Sequence, residues 1–337
     1  MTRIEIDKDT VKKILVIKTS ALGDLIRSFP ALVAVAKYFP TAKIYFMTSE
    51  QYVELMEPCP YVTEIIPYKK RKNSEDLKGF IKFAFDIRSY GFDLVLNLQN
   101  TNRFDIISKI SGARYRSKII TLERPMNGVE GVFEILKTVG IIPKRRYNEI
   151  WLSESDRAFA SDFLARHGYL NGDKIVGLNP AGGWRSKQWP VEHYADLAQK
   201  LAGAVGARFI VFGSAEERNR AEEIQRIAGE ECSFAIASGE TTIRQAIALI
   251  ERCSAFVSND SGLMHAAALL EVPTAGLFGP TNPAYHAPAG VGNLTFYRGV
   301  DCSPCSCPEC ELDVEKYFCL GAILPKEVFK GVRQIIR

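Results

Sequence analysis

Hydrophobic and polar residues alternate along the first half of the chain in blocks that predict a repeated order of strands and helices. Short apolar runs typical of buried strands occur at 13–18, 43–48, 62–68 and 93–99. Segments in which apolar residues recur with helical spacing follow at 25–38, 76–90 and 103–110. This alternation predicts a parallel sheet with helices on both faces.

The second half of the chain starts the same pattern again. Strands are predicted at 174–180, 207–214, 255–260 and 272–280, and helices at 155–167, 191–204, 216–228, 241–253 and 261–270. We therefore predict an α/β protein with two Rossmann-like, doubly wound domains facing a central cleft. Ligands bind at the carboxyl ends of the strands in such sheets, so the active site is expected in that cleft.

The domain boundary is predicted near residue 150, because the segment 140–151 has no helical period. An N-terminal domain then covers 1–150 and a C-terminal domain covers 151–322. The last segment, 323–337, contains an amphipathic helix that can pack back on the first domain.

The composition is that of a globular protein in water. Of 337 residues, 47% are hydrophobic and 24% are charged, and no apolar run approaches the ~18 residues that a membrane span needs. The first residues contain acids and no apolar core, unlike a signal peptide. We expect a cytoplasmic protein.

Positive charge is concentrated in the first half of the chain. Residues 1–150 contain 25 Lys and Arg against 17 Asp and Glu, whereas residues 151–337 contain 18 against 22. This asymmetry suggests that the first domain binds an anionic partner or an anionic membrane surface. The alternative, a solvated basic surface with no partner, is equally compatible with the counts.

The stretch 258–270 predicts an anion site at the start of a helix. Asp260 and Ser261 are good N-cap residues, and Gly262 allows a ligand to approach the backbone. The first N–H groups of the helix and its positive dipole end attract a phosphate, and His265 follows in the first turn. The alternative is an ordinary capped helix with a half-buried histidine.

Two further loops of the second half follow predicted strands. Gly182 and Gly183 form a flexible backbone cradle, and Lys187 supplies a cation for a phosphate. Glu217 and its neighbour Glu216 can accept the hydroxyl protons of a ribose. The alternatives are a solvated surface lysine and acidic residues that complement a helix dipole.

The first loop of the chain, Ser20 to Asp24, differs from a phosphate loop. It contains one glycine, Gly23, where a dinucleotide fingerprint has three, and the Asp24 carboxylate would repel a phosphate. On the residues alone, Asp24 is predicted to be the N-cap of the following helix.

Four segments in this order carry a resemblance to a known family: "SALGDLIRSFPAL", "NPAGGWRSKQWPVEHYADLAQKL", "VFGSAEER" and "VSNDSGLMHAAALLEVPTAGLFGPTNP". The chain resembles glycosyltransferase family 9, the ADP-heptose:lipopolysaccharide heptosyltransferases, over nearly its whole length. The resemblance implies a GT-B fold and a metal-independent, inverting transfer of a heptose, with no resident cofactor. The donor would be ADP-heptose or a related nucleotide sugar.

The resemblance also implies the partners. The acceptor would be an anionic lipopolysaccharide precursor, lipid A that bears Kdo or heptose, and nucleic acid would not be a partner. Because that acceptor is a membrane lipid, the protein would associate peripherally with the cytoplasmic face of the inner membrane.

The family's functional residues map onto this chain position by position. Asp24 takes the place of the proposed catalytic base, in an acceptor loop that includes Ser20 and Gly23. On the donor side the resemblance assigns Lys187 to the pyrophosphate, Glu217 to the ribose, and Asp260, Ser261, Gly262 and His265 to the surroundings of the diphosphate. Several family members have hydroxyl residues where this chain has Gly182 and Gly183, so phosphate contacts there would come from the backbone alone.

Two other functions stay open on the sequence. A sugar-nucleotide epimerase of similar fold would consume its substrate without an acceptor, and a nucleotide-binding module would bind without turnover.

Five of the eight cysteines lie close together near the C-terminus, at Cys302, Cys305, Cys307, Cys310 and Cys319. Zinc ribbons separate their cysteine pairs by a longer loop, and disulfides are disfavoured in the cytoplasm. A structural metal site, a redox clip and untied thiols are the alternatives, and the sequence assigns the cysteines no role.

Overall fold

The computed structural model describes residues 6–69, 76–121, 125–143 and 147–336, without the side chains of 76 and 77. The chain forms two compact units that divide between Trp151 and Leu152, one residue beyond the predicted boundary.

The first unit contains a five-stranded parallel sheet in the order β3-β2-β1-β4-β5. Its strands are β1 (Lys13–Ile17), β2 (Lys43–Ser49), β3 (Val62–Tyr68), β4 (Leu94–Asn97) and β5 (Tyr115–Arg116). Its helices are α1 (Leu22–Ile26), α2 (Phe29–Tyr38), α3 (Val53–Met56), α4 (Asp76–Ser89), α5 (Asn102–Ile110) and α6 (Gly128–Lys137).

The helix predicted at 25–38 is two helices, and the first begins earlier than expected. Pro30 lies in the first turn of α2, where its missing N–H is not needed, and Arg27 and Ser28 separate the two helices. The N-cap of α1 is Ala21, so Gly23 and Asp24 lie inside the first turn. The N-cap alternative for Asp24 is therefore wrong.

Helix α6 was not predicted from the sequence. Its Gly128 and Gly131 lower the intrinsic helix propensity of the segment, which tertiary contacts with α2 and β4 override.

The second unit contains a six-stranded parallel sheet in the order β11-β10-β9-β6-β7-β8. Its strands are β6 (Ile175–Asn179), β7 (Arg208–Val211), β8 (Phe234–Ile236), β9 (Ala255–Asn259), β10 (Thr274–Phe278) and β11 (Leu294–Tyr297). Its helices are α7 (Glu154–Arg166), α8 (Val191–Val205), α9 (Arg218–Ala228), α10 (Ile243–Ile250), α11 (Gly262–Leu269), α12 (Pro283–His286), α13 (Phe318–Gly321) and α14 (Pro325–Ile335).

Both sheets are doubly wound, which confirms the predicted fold class. In each sheet the chain builds outward on one side of the first strand and then returns to build on its other side. The order reverses between β1 and β4 in the first unit and between β6 and β9 in the second. Ligands of open α/β sheets bind beyond the carboxyl ends of the strands at these switch points.

The C-terminal helix α14 completes the core of the second unit. Val328 and Val332 are buried, and the helix packs on α8 beside β9 and β10. Its predicted packing on the first domain concerns the relation between the two units and stays a prediction. Within the described ranges, no helix is both long and apolar enough to cross a bilayer.

Candidate functional site

A buried asparagine organises the loop that follows β6. The amide nitrogen of Asn259, at the end of β9, donates to the carbonyl oxygens of Pro180 (2.8 Å) and Ala181 (3.2 Å). Its amide oxygen accepts from the backbone N–H of Trp189 at 3.2 Å. One side chain thus holds both ends of the loop 180–189, a role that the sequence analysis missed.

The loop 180–189 places Lys187 next to Asp260. The Lys187 Nζ lies 2.7 Å from the Asp260 Oδ2, although the two residues are far apart in sequence. The Lys187 side chain is 17% exposed and that of Asp260 is 6% exposed. Burial alone would raise the pKa of the Asp260 carboxyl, but the charge and hydrogen bond of Lys187, assisted by His286 and His265, outweigh burial and lower it.

Helix α11 begins directly after this pair. Ser261 is the N-cap, and its Oγ accepts from the Met264 N–H at 3.4 Å and from the Asn179 amide at 2.6 Å. Gly262 is the first helical residue, and His265 is buried in the first turn. The structure therefore brings together Lys187, Asp260, Ser261, Gly262 and His265 at the switch point of the second sheet.

Glu217 connects the loops that follow β6 and β7. Its Oε1 accepts from the Gly182 N–H at 3.1 Å, and its Oε2 accepts from the Ser214 N–H at 3.0 Å. A Cβ on Gly182 would lie 3.2 Å from the Lys187 Cβ, whereas Gly183 faces open space. Gly182 therefore allows the close approach of the lysine, and Glu217 lies in the same cluster.

The candidate base of the first unit lies among cations. Asp24, 41% exposed, forms an ion pair with Arg27, whose own side chain is 9% exposed. A Cβ on Gly128 would overlap the Arg27 guanidinium, so the glycine at the start of α6 makes room for this arginine. Arg27 was missed in the sequence, although its spacing of three from Asp24 was a signal.

Two other groups of the first loop are buried. The Lys18 Nζ donates to the Leu98 carbonyl oxygen at 3.1 Å, and burial lowers the pKa of the Lys18 ammonium against the opposing effect of Asp24. The Ser20 Oγ is buried and has no hydrogen-bond partner among the residues described. Since β1 and β4 are neighbours at the switch point, Ser20 and Asp24 lie where a ligand of the first sheet would bind.

The backbone of the cysteine-rich segment 302–310 forms hydrogen bonds with the loop 180–189, which carries Lys187. The Ser186 N–H donates to the Pro308 carbonyl oxygen at 3.1 Å, and the Ser186 Oγ donates to that of Cys307 at 2.5 Å. All eight cysteines are free thiols. Burial, with the nearby thiols of the segment, raises the pKa of Cys319 to about 11. Over the described part of the chain, no group of three or more His, Cys, Asp or Glu side chains is arranged to hold a metal ion.

Comparisons with known proteins agree on one family. The model of glycosyltransferase family 9 (heptosyltransferase) matches residues 80–315. Lipopolysaccharide heptosyltransferase 2 of Escherichia coli (strain K12) is 26% identical over 301 residues, which cover 82% of this chain and 85% of that protein.

Two solved structures share the fold over nearly the whole chain. The glycosyl transferase family 9 structure from Veillonella parvula superimposes with a TM-score of 0.79 at 22% identity, covering 96% of this chain and 97% of that one. The E. coli ADP-heptose lps heptosyltransferase II does so with a TM-score of 0.74 at 22% identity, covering 96% and 98%. The fold is therefore GT-B, as the family resemblance implied.

Proposed function

Because this chain belongs to glycosyltransferase family 9, we propose that it transfers a heptose from ADP-heptose to the inner core of a lipopolysaccharide precursor. Heptose as the sugar and lipopolysaccharide synthesis as the pathway are inferred from the names of the relatives given above. The main evidence for a donor site is the buried Lys187–Asp260 pair beside the first turn of α11. A cation and a helix N-terminus at a sheet switch point are what a nucleotide diphosphate requires.

The donor diphosphate would lie against the first turn of α11 and the ammonium of Lys187. The negative charge on the leaving phosphate grows as the bond from the sugar breaks, and both groups stabilise that charge. Glu217 would accept the ribose hydroxyl protons. The backbone N–H of Gly183 would contact the phosphates, because that of Gly182 donates to Glu217. Lys187 would supply the positive charge that a divalent metal supplies in other enzymes.

The acceptor hydroxyl would be activated by Asp24. Its oxygen attacks the anomeric carbon of the heptose while the bond to the phosphate oxygen breaks, and its proton passes to the Asp24 carboxylate. ADP leaves from the opposite face, so a single displacement inverts the anomeric configuration. Base assistance of this kind is typically worth ~10²–10⁴-fold.

The acceptor would be an anionic lipid-linked saccharide. The basic balance of residues 1–150 matches the carboxylate of Kdo and the phosphates of lipid A. A lipid-linked acceptor would keep the enzyme at the cytoplasmic face of the inner membrane during transfer.

A donor screen tests the proposal. We expect ADP-sugars to raise the Tm of the protein more than UDP- or GDP-sugars do, because only the correct nucleotide binds the folded state. We expect heptose transfer to appear only when a Kdo-bearing acceptor is added. Consumption of the sugar nucleotide without an acceptor would favour an epimerase, and binding without turnover on every acceptor would favour a binding module.

Transfer is expected to be undiminished in EDTA. The ammonium of Lys187 already provides a cation for the diphosphate, so removal of divalent ions should leave the rate unchanged. The measurement is the initial rate in EDTA, with added Mg²⁺ as the control. An absolute requirement for Mg²⁺ or Mn²⁺ would contradict the role given to Lys187.

The KM for the acceptor is expected to rise with ionic strength more steeply than the KM for the donor. Attraction between the basic first unit and an anionic acceptor acts over a Debye length of about 8 Å at physiological salt and shortens as salt is added. The two KM values are to be measured over a series of NaCl concentrations. If the two KM values depend equally on salt, the first unit does not attract the acceptor electrostatically.

A further inference from the structure

The second unit contains a basic cavity whose lining residues have no role in the proposed donor site. Its volume is about 510 Å³, and its wall includes Arg185, Gln188, Arg220, Lys316, Tyr317 and Phe318. Arg185 belongs to the same short turn as Lys187, so the cavity borders the lysine loop.

Arg220 is the unusual member of the cavity wall. Its Nη2 donates to the Trp189 carbonyl oxygen at 2.9 Å, while its Nε is buried without a hydrogen-bond partner. No carboxylate in the described ranges forms an ion pair with it. Burial lowers the pKa of the guanidinium and outweighs the opposing charges of nearby groups, Glu217, Glu223 and Glu192 among them. A partly desolvated cation with no carboxylate at ion-pair distance favours an anionic ligand.

Two more cations line the same space. Arg185 and Lys316 are exposed, and the Arg185 guanidinium lies 5.8 Å from the centre of the Tyr317 ring. Glu315 is the one carboxylate of the wall, so the cavity keeps a positive balance. Phe318, 48% exposed, adds an apolar surface next to the cations.

The backbone of this wall is held in a costly conformation. Glu315 and Tyr317 have φ angles of 55° and 61°, in the left-handed region. Residues other than glycine rarely adopt this conformation, and those that do cluster at ligand sites. The Tyr317 hydroxyl donates to the Glu309 Oε2 at 2.6 Å, and its N–H donates to the Cys310 Sγ at 3.4 Å. These contacts hold Tyr317, the neighbour of Lys316, on the cavity wall.

We propose that this cavity binds an anionic group carried on a sugar, a phosphate or a carboxylate, through Arg185, Arg220 and Lys316. Guanidinium groups bind both anions with paired hydrogen bonds, and the aromatic wall suits the less polar body of the ligand. Two sources share this chemistry, the diphosphate of the donor and an acidic or phosphorylated sugar of the acceptor. The choice between these sources rests on the proposed function, whereas the anion site itself does not.

Direct binding to the full chain tests the site without turnover. The probes are ADP for the donor, free Kdo and a hexose 6-phosphate for the acceptor, and a neutral hexose as the blank, each titrated by calorimetry. The variants are Arg185→Gln/Lys316→Gln, which changes only exposed side chains, and Arg220→Gln. Arg226→Gln, on the exposed side of α9, is the matched control.

We expect both cavity variants to weaken at least one anionic probe by about tenfold or more, because charge-assisted hydrogen bonds are lost. Arg226→Gln should bind all probes like the wild type. Weaker binding of Kdo or of the sugar phosphate would assign the cavity to the acceptor, and weaker binding of ADP would assign it to the donor. If every anionic probe binds the double variant as it binds Arg226→Gln, the cavity is not an anion site, whatever the enzyme transfers.

Discussion

Replacement of Asp24 by Asn is expected to lower kcat by about 10²-fold or more and to leave the Kd of the donor near its wild-type value. Asn is nearly isosteric but cannot take up a proton at neutral pH, so only the step that needs a base is affected. A 10²-fold loss corresponds to about 2.7 kcal/mol of transition-state stabilisation. The measurement pairs donor calorimetry with single-turnover transfer to a Kdo-bearing acceptor.

The structure removes one alternative explanation of such a loss. Ala21, not Asp24, is the N-cap of α1, so Asn at position 24 does not change the cap. The ion pair with Arg27 is weakened, but the amide oxygen of the introduced Asn can still accept a hydrogen bond from the buried Arg27 guanidinium, so the cation keeps a partner.

Asp105→Asn is the matched control for Asp24→Asn. It breaks the ion pair between Asp105 and Lys109 in α5 of the same unit, which has an Oδ2 to Nζ distance of 2.7 Å. We expect a similar small loss of stability with unchanged transfer. Turnover of Asp24→Asn within a few-fold of wild type would remove Asp24 from the mechanism.

Replacement of Lys187 by Ala is expected to weaken donor binding by about ten- to a hundredfold. The ammonium would make a charge-assisted contact to the diphosphate, and such contacts contribute about 1.5–3 kcal/mol. The same change leaves the buried Asp260 carboxylate unpaired, which destabilises the fold by about 3–5 kcal/mol. Donor Kd and Tm are therefore to be measured together.

A double variant separates the two effects of losing Lys187. In Lys187→Ala/Asp260→Asn the buried carboxylate is neutralised, so much of the lost Tm should return while donor binding stays weak. Lys200→Ala, which breaks an exposed pair with Asp196 on α8, should change neither quantity. Recovery of donor affinity in the double variant would show that Lys187 acts only as the partner of Asp260.

The local pattern of the sequence determined the fold class and most of the longer elements, but not β5, β8, β11 or α6. Strand β3 coincides with the predicted 62–68, and α4 and α8 end within one residue of the predicted positions. In these segments the apolar residues recur with regular strand or helix spacing. Their ends are also clearly marked, for example by the left-handed Gly206 after α8. The same reasoning located the anion signals at strand ends, because the carboxyl edge of a parallel sheet follows from the order of strands and helices.

Only the tertiary structure decided which of these residues meet. Lys187 and Asp260 pair across a sequence separation of 73 residues because β6 and β9 are neighbours in the sheet. Asn259 binds the loop 180–189 for the same reason, and Gly128 leaves room for Arg27 a hundred residues away. A short stretch of sequence shows the spacing of its apolar residues and its helix or strand propensity, but it does not show the order of strands in the sheet. Sheet pairing and loop closure, which bury and desolvate these charges, are set by the whole chain.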